Sequence, residues 1–110
     1  LYLAGHDHNL QDLGSHEGTE LVVSGAASKM TPLRQGDVDL DDDDAPHNKV
    51  LFAAQCYGFV LVEAAATQLA LAFFGVPSGP TPDCAQNIDW THDEERNAHW
   101  ALLHERILRR

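Results

Sequence analysis

The strongest constraint on the fold is an apolar stretch in the middle of the chain, which reads YGFVLVEAAATQLALAFFG. Its first arm, Tyr57–Glu63, is rich in aromatic and β-branched residues, and its second arm, Gln68–Phe74, alternates between two sets of apolar residues. Both faces of both arms are apolar, which is typical of strands in a sheet packed between two layers. We therefore predict a β-hairpin buried on both sides, while the alanines between Val62 and Leu71 leave a helix as the alternative.

Three more strands are expected in the first part of the chain. Leu1–Ala4 is short and apolar, and Asn9–Leu13 and Glu20–Ser24 could pair as a hairpin around the glycines of GSHEGT. The next segment, Gly25–Asn48, has no sustained apolar period and contains two prolines and the acidic run GDVDLDDDD. We expect it to form a long loop, and loops of this kind in compact domains are usually functional or mobile.

A linker and a helix are predicted at the end of the chain. Val76–Asp89 is rich in proline and glycine, which indicates a linker. The string THDE, which begins at Thr91, has the spacing of a capping box, in which two side chains satisfy free backbone donors at a helix start. Trp100, Leu103 and Ile107 then share one face at helical spacing, so this helix should dock Trp100 against a sheet or a partner.

Charge and cysteine content exclude some classes of function. The formal net charge of -10 argues against general nucleic-acid binding, which needs clustered basic residues. Six aspartates lie within Asp37–Asp44, but Gly and Glu are missing where a calcium loop requires them, so a solvated acidic loop is expected. No apolar run in the sequence is long enough to cross a bilayer. Cys56 and Cys84 could pair in an oxidising compartment or remain free, and their spacing matches no metal motif.

The clearest chemical signal is the string GHDH, directly after the first expected strand. On an extended backbone, residues two apart project to the same side, so His6 and His8 can face one site while Asp7 points away. Gly5 allows the backbone to turn sharply before them. Imidazole is a common ligand for zinc, iron, nickel and copper. Two histidines are too few for a closed metal site, so other ligands would have to come from elsewhere in the fold, with Asp7 in a supporting role.

The neighbours of GHDH extend it to a recognisable pattern. YLAGHDHNLQ, followed by ELVVSGAASKM and later by the GFVLVEA hairpin, resembles the C-terminal part of the calcineurin-like metallophosphoesterases, and most closely their tartrate-resistant, purple acid phosphatase branch. The order and spacing agree over roughly Leu1–Gly75. GHDHNLQ is the most specific part, and SGAASKM is expected to be a strand end whose small residues pack tightly below the GHDH segment.

The resemblance implies an α/β fold. Residues 1–75 would supply the C-terminal portion of a metallophosphoesterase α/β/β/α sandwich with mixed sheet strands. Residues 76–110 match no part of the family pattern and would form the linker and one terminal helix. Because the family's other ligand motifs precede this region and are absent here, we expect this chain to be part of a longer protein.

The resemblance also implies a function, the hydrolysis of phosphomonoesters at a dinuclear metal centre. His6 would bind one metal, which is ferrous iron, zinc or manganese in the family, and His8 the other, which is ferric iron. Both histidines would hold metal and transfer no proton, so this chain would contain no catalytic residue and would be inactive alone. A phosphodiesterase of the same superfamily and a non-catalytic structural or binding lobe are the alternatives.

The remaining histidines carry no comparable pattern. We expect them to be solvent-exposed or local capping residues, and they are His16, His47, His92, His99 and His104. The protein could be exported or periplasmic, but neither its compartment, its particular phosphate ester substrate nor its oligomeric state follows from the sequence.

Overall fold

Seven strands form two sheets in the part of the chain that the structure describes. The structure is a computed structural model, and it describes residues 1–27, 29–30, 33, 50–76, 84 and 100–109. The strands are β1 (Tyr2–Ala4), β2 (Leu10–His16), β3 (Thr19–Ser24), β4 (Phe52–Ala54), β5 (Gly58–Ala64), β6 (Gln68–Gly75) and β7 (Ala101–Arg109).

The first sheet, called sheet A here, is mixed and has the strand order β1-β3-β2-β4. Strand β1 lies parallel to β3, while β2 is antiparallel to both β3 and β4. The predicted hairpin around GSHEGT is confirmed, and its turn places Glu17 and Gly18 at φ 49° and 81°, as a two-residue turn of the primed type requires. A bulge interrupts the pairing between Asp12 and Ser15, with Gly14 at φ 73° in the extra position.

The second sheet, sheet B, is antiparallel and has the order β5-β6-β7. The central hairpin is confirmed as a hairpin, with residue pairs running from Gly58↔Gly75 to Ala64↔Leu69. Its burial is one-sided, however. Leu71 and Phe73 are fully buried against sheet A, whereas Phe59 and Leu61 on the other face are 39% and 44% exposed. The prediction of burial on both sides is therefore wrong, because Phe59 and Leu61 on the outer face stay partly exposed to solvent.

The predicted terminal helix is wrong over Ala101–Arg109, where the chain forms β7. This strand pairs with β6 over its whole length, from Gln68↔Arg109 to Gly75↔Ala101. The apolar residues of this segment fit both a helical and an alternating period. Pairing with β6 satisfies the backbone hydrogen-bonding groups of the extended form, so the strand is formed. Trp100 still reaches a sheet, since its ring meets that of Phe59 edge-on at a centroid distance of 5.1 Å.

The core lies between the two sheets. Leu10 and Val22 from sheet A and Leu71 and Phe73 from sheet B are fully or almost fully buried there, together with Ala26 and Cys56. Cys56 forms a disulfide with Cys84. Of the two states that the sequence left open, paired or free, the structure has the paired one. The mixed sheet of the predicted fold class is confirmed, and the described residues contain no helix that would represent its α layers.

Several predicted features lie wholly or mostly outside the described residues. They are the long loop Gly25–Asn48 with its acidic run Asp37–Asp44, the linker Val76–Asp89, the capping box that begins at Thr91, and His47, His92 and His99. Within the described part of the chain, no helix is long and apolar enough to span a membrane.

Candidate functional site

The candidate metal-ligating histidines lie in the connection between β1 and β2, which we call the GHDH loop (Gly5–Asn9). It follows the carboxyl end of the parallel strand β1. His6 is exposed and His8 is half-buried, so the loop lies at the surface. The extended backbone assumed from the sequence is not present, because the Asn9 N–H donates to the Asp7 carbonyl oxygen at 2.9 Å and closes a tight turn. Alternation along a strand therefore does not govern how the two rings are placed.

Gly25 lies directly against the GHDH loop. A β-carbon at this position would lie 2.7 Å from the Gly5 carbonyl oxygen and would overlap that of Asp7. The Gly25 N–H donates to the Asn9 carbonyl oxygen at 3.1 Å. Only glycine allows this approach of two backbones. The prediction that small residues of SGAASKM pack tightly below the GHDH segment is confirmed for Gly25.

The residues beside Gly25 attach the same region to sheet B. The Val60 N–H donates to Ser24 Oγ at 3.2 Å, and the Gly58 N–H donates to the Ala26 carbonyl oxygen at 3.1 Å. The segment Ser24–Ala26 thus contacts the GHDH loop on one side and the start of β5 on the other. The three strings behind the family resemblance are neighbours in space, although they are distant in sequence.

The groups at the GHDH loop that could ligate a metal ion are two histidines and nearby carboxylate, amide and backbone oxygens. Among the described residues there is no group of three or more histidine, cysteine, aspartate or glutamate side chains that could hold a metal ion. His16 lies at the far end of β2, and His104 is partly buried between the sheets. The loop therefore presents His6 and His8 without a third such ligand from the described part of the chain.

A second cluster of polar side chains, which is not among the predicted site residues, joins the two sheets. We call it the ion-pair network, and it comprises Asp12, Glu20, His104 and Arg106. The Asp12 side chain is 0% exposed, and it accepts two hydrogen bonds from Arg106, at 2.8 Å from Nε and 2.7 Å from Nη2. Arg106 Nη1 donates to Glu20 Oε2 at 2.6 Å. A guanidinium with two parallel bonds to one carboxylate is among the strongest ion-pair geometries.

His104 completes the ion-pair network. Its Nε2 lies 3.1 Å from Asp12 Oδ2, and its ring stacks on Phe52 at a centroid distance of 4.8 Å and an angle of 5°. The ring of Phe73 lies 5.3 Å away on centroids. The prediction that His104 is an exposed or capping residue is therefore wrong, because the strand conformation of β7 turns it toward sheet A.

The electrostatics of the network keep Arg106 charged. Burial by itself lowers the pKa of its guanidinium, but the hydrogen bonds to Asp12 and Glu20 and the charges of these carboxylates outweigh burial and raise the pKa above its ordinary value. The Gly14 N–H at the bulge also donates to Asp12 Oδ1, at 3.1 Å. The buried carboxylate thus has donors from both sheets, which is the condition for burying a charge.

The sequence does contain a signal for this network. In LLHERIL, an alternating pattern places His104 and Arg106 on one face of a strand and Glu105 and Ile107 on the other, and in the structure the face with His104 and Arg106 is the inner one. In a helix the same string would place His104 and Arg106 on different faces.

No protein-family model matches the chain, and no curated protein or solved structure is significantly similar to it. The residues and their contacts therefore carry the functional argument alone.

Proposed function

We propose that this chain is the C-terminal portion of a two-metal phosphoesterase that hydrolyses phosphomonoesters, with His6 on one metal and His8 on the other. The observation that supports it best is the packing of Gly25 against the GHDH loop. The loop carries an exposed and a half-buried imidazole, and its backbone packs against Gly25, where no side chain would fit. Support of this kind restricts a ligand loop to one geometry, which a metal site needs.

The residues present fit such a metal pair in kind. Imidazole suits iron and zinc, and the exposed position of the loop leaves it accessible to a phosphate ester. When bound, two metals neutralise charge on the phosphoryl oxygens and make hydroxide available near neutral pH. In this scheme His6 and His8 hold their metals and move no proton. In this scheme the remaining ligands, and the helices that complete an α/β/β/α sandwich, would come from elsewhere in the longer protein.

The disulfide adds a point about location. Disulfides persist mainly in oxidising compartments, so the Cys56–Cys84 bond favours an exported or periplasmic protein.

The test compares three histidines in the full-length protein. Metal content after purification should be about two ions per chain in the parent protein. It should fall by about one in His6→Ala and in His8→Ala, together with the loss of phosphomonoesterase activity. His16→Ala is the matched control, because it removes an exposed histidine of the same sheet away from the GHDH loop. Equal and full metal content in all variants would refute the ligand assignment.

A second candidate, a non-catalytic structural or binding lobe, is favoured by the lack of a third ligand among the described residues. Robust metal-dependent turnover of a chromogenic phosphomonoester by these 110 residues alone would contradict both candidates. In the full-length protein, no turnover of any ester would favour the non-catalytic lobe. Faster turnover of a diester than of a monoester would favour a phosphodiesterase.

A further inference from the structure

The ion-pair network and the GHDH loop share one strand. β2 begins at Leu10, directly after the loop, and Asp12 is its third residue. Leu10 and Asp12 both face sheet B, since Leu10 packs in the core between the sheets and Asp12 meets Arg106. The position of β2 relative to sheet B therefore sets the position of the end of the loop that joins β2.

The side chain and the backbone of Asp12 are both fixed. The carboxylate accepts hydrogen bonds from Arg106 on β7 and from the Gly14 N–H, and His104 Nε2 lies 3.1 Å from it. Its carbonyl oxygen accepts a hydrogen bond from the Leu51 N–H at 2.8 Å. A displacement of β2 at this point would break several of these interactions at once.

The other end of the loop is held less firmly by its own strand. β1 has three residues and pairs with β3 alone among the described strands. Tyr2 and Leu3 are 62% and 53% exposed, so they bury little apolar surface against the described residues. Local stability follows buried contacts, and β2 is therefore the firmer of the two strands that anchor the loop.

We propose that Arg106 and Asp12 form a positioning couple for the GHDH loop, so that the last strand sets the place of the candidate ligands through β2. Removing the guanidinium leaves a fully buried carboxylate without its cation, which is strongly unfavourable. β2 must then shift to bring Asp12 nearer to water, and the loop that precedes it shifts as well. Neither residue contacts a substrate or a metal in this scheme, and both act through the backbone of β2.

Amide hydrogen exchange of the 110-residue chain tests the couple without any metal. The reporters are two N–H groups. That of Asn9 donates a hydrogen bond to Asp7 within the loop, and that of Gly25 donates one to Asn9 of the loop. In Arg106→Gln we expect both to exchange at least about tenfold faster, beyond any acceleration of the Leu71 and Phe73 amides in the core. Arg109→Gln is the matched control, because Arg109 is on the same strand with an exposed side chain. Equal acceleration of loop and core amides, or an equal effect of Arg109→Gln, would overturn the proposal.

Two further variants keep the test decisive if Arg106→Gln does not fold. Arg106→Lys keeps the charge but loses the paired hydrogen bonds, so the loop amides should accelerate by a smaller, severalfold amount, and no change would overturn the proposal. Adding Asp12→Asn to Arg106→Lys removes the buried negative charge. The loop amides of the double variant should therefore exchange more slowly than those of Arg106→Lys alone. A double variant worse than the sum of its parts would contradict the role of the charge pair.

The consequence for metal rests on the proposed function. In the full-length protein, Arg106→Lys should weaken metal affinity about tenfold, as loss of a supporting contact commonly does. Parent protein that binds no metal would refute the proposed function, while the exchange experiment would still decide the positioning couple. Metal affinity unchanged in Arg106→Lys, with a parent protein that binds metal, would refute the couple.

Discussion

The GHDH loop and the ion-pair network place their polar side chains in opposite surroundings. The loop presents His6 at the surface and His8 half-buried, without a third ligand among the described residues. The network encloses a fully buried aspartate among cationic, aromatic and backbone groups from both sheets. A contiguous string identifies the first, whereas the second joins residues 86 to 94 positions apart. The comparison indicates that the buried polar groups of the network hold the two sheets together, whereas His6 in the loop stays exposed to solvent.

The largest effect that would sharpen this contrast is expected at Arg106. Arg106→Gln leaves Asp12 buried without its cation, so the free energy of unfolding should fall by about 3 kcal/mol. Arg109→Gln, an exposed change on the same strand, should alter it by less than about 0.5 kcal/mol. Denaturant titration of the two variants measures the difference. Equal stabilities would show that the network contributes no more than the surface does.

The same pair of variants carries a pH expectation. Because the pKa of Arg106 is raised in the folded state, its contribution to stability is fully present below the ordinary guanidinium pKa. It is lost only as the pH rises through the raised value. The stability difference between the parent and Arg106→Gln should therefore be the same at about pH 7 and about pH 10.

The parts of the fold that the sequence predicts are those set by local patterns. The hairpin of β5 and β6 follows from its apolar arms, and the turn of β2 and β3 follows from the glycines of GSHEGT. The small residues of SGAASKM predict close packing below the GHDH loop, and Gly25 provides it. In each case a short string predicts which segments meet.

The parts that the sequence does not predict depend on distant partners. Residues 101–109 fit either a helix or a strand, and pairing with β6 makes them a strand. That choice turns His104 and Arg106 inward, and no local pattern indicates that they meet Asp12 there. The local string does not predict the network, because the network depends on the strand and the strand depends on tertiary pairing with β6.

An intermediate effect is expected at Gly25, where the GHDH loop touches the rest of the fold. Gly25→Ala adds a β-carbon that overlaps the Asp7 carbonyl oxygen, so the loop or the turn must move. Overpacking of this kind costs about 1–3 kcal/mol in free energy of unfolding. Gly18→Ala is a useful control, because a β-carbon there meets nothing within 4 Å although its positive φ still disfavours alanine. If the Asn9 amide keeps its parental hydrogen-exchange rate in Gly25→Ala, the loop does not depend on this contact.

The smallest effect should be at His6, and the contrast with His104 makes it informative. His6→Ala removes an exposed ring, so it should change the free energy of unfolding by less than about 0.5 kcal/mol. His104→Ala removes a ring stacked on Phe52 and a partner of Asp12, so it should cost about 1–2 kcal/mol. Denaturant titration of the two variants in the same buffer gives both values. A His6→Ala variant as unstable as His104→Ala would mean that the GHDH loop serves the fold rather than a ligand, and the contrast between the two regions would not hold.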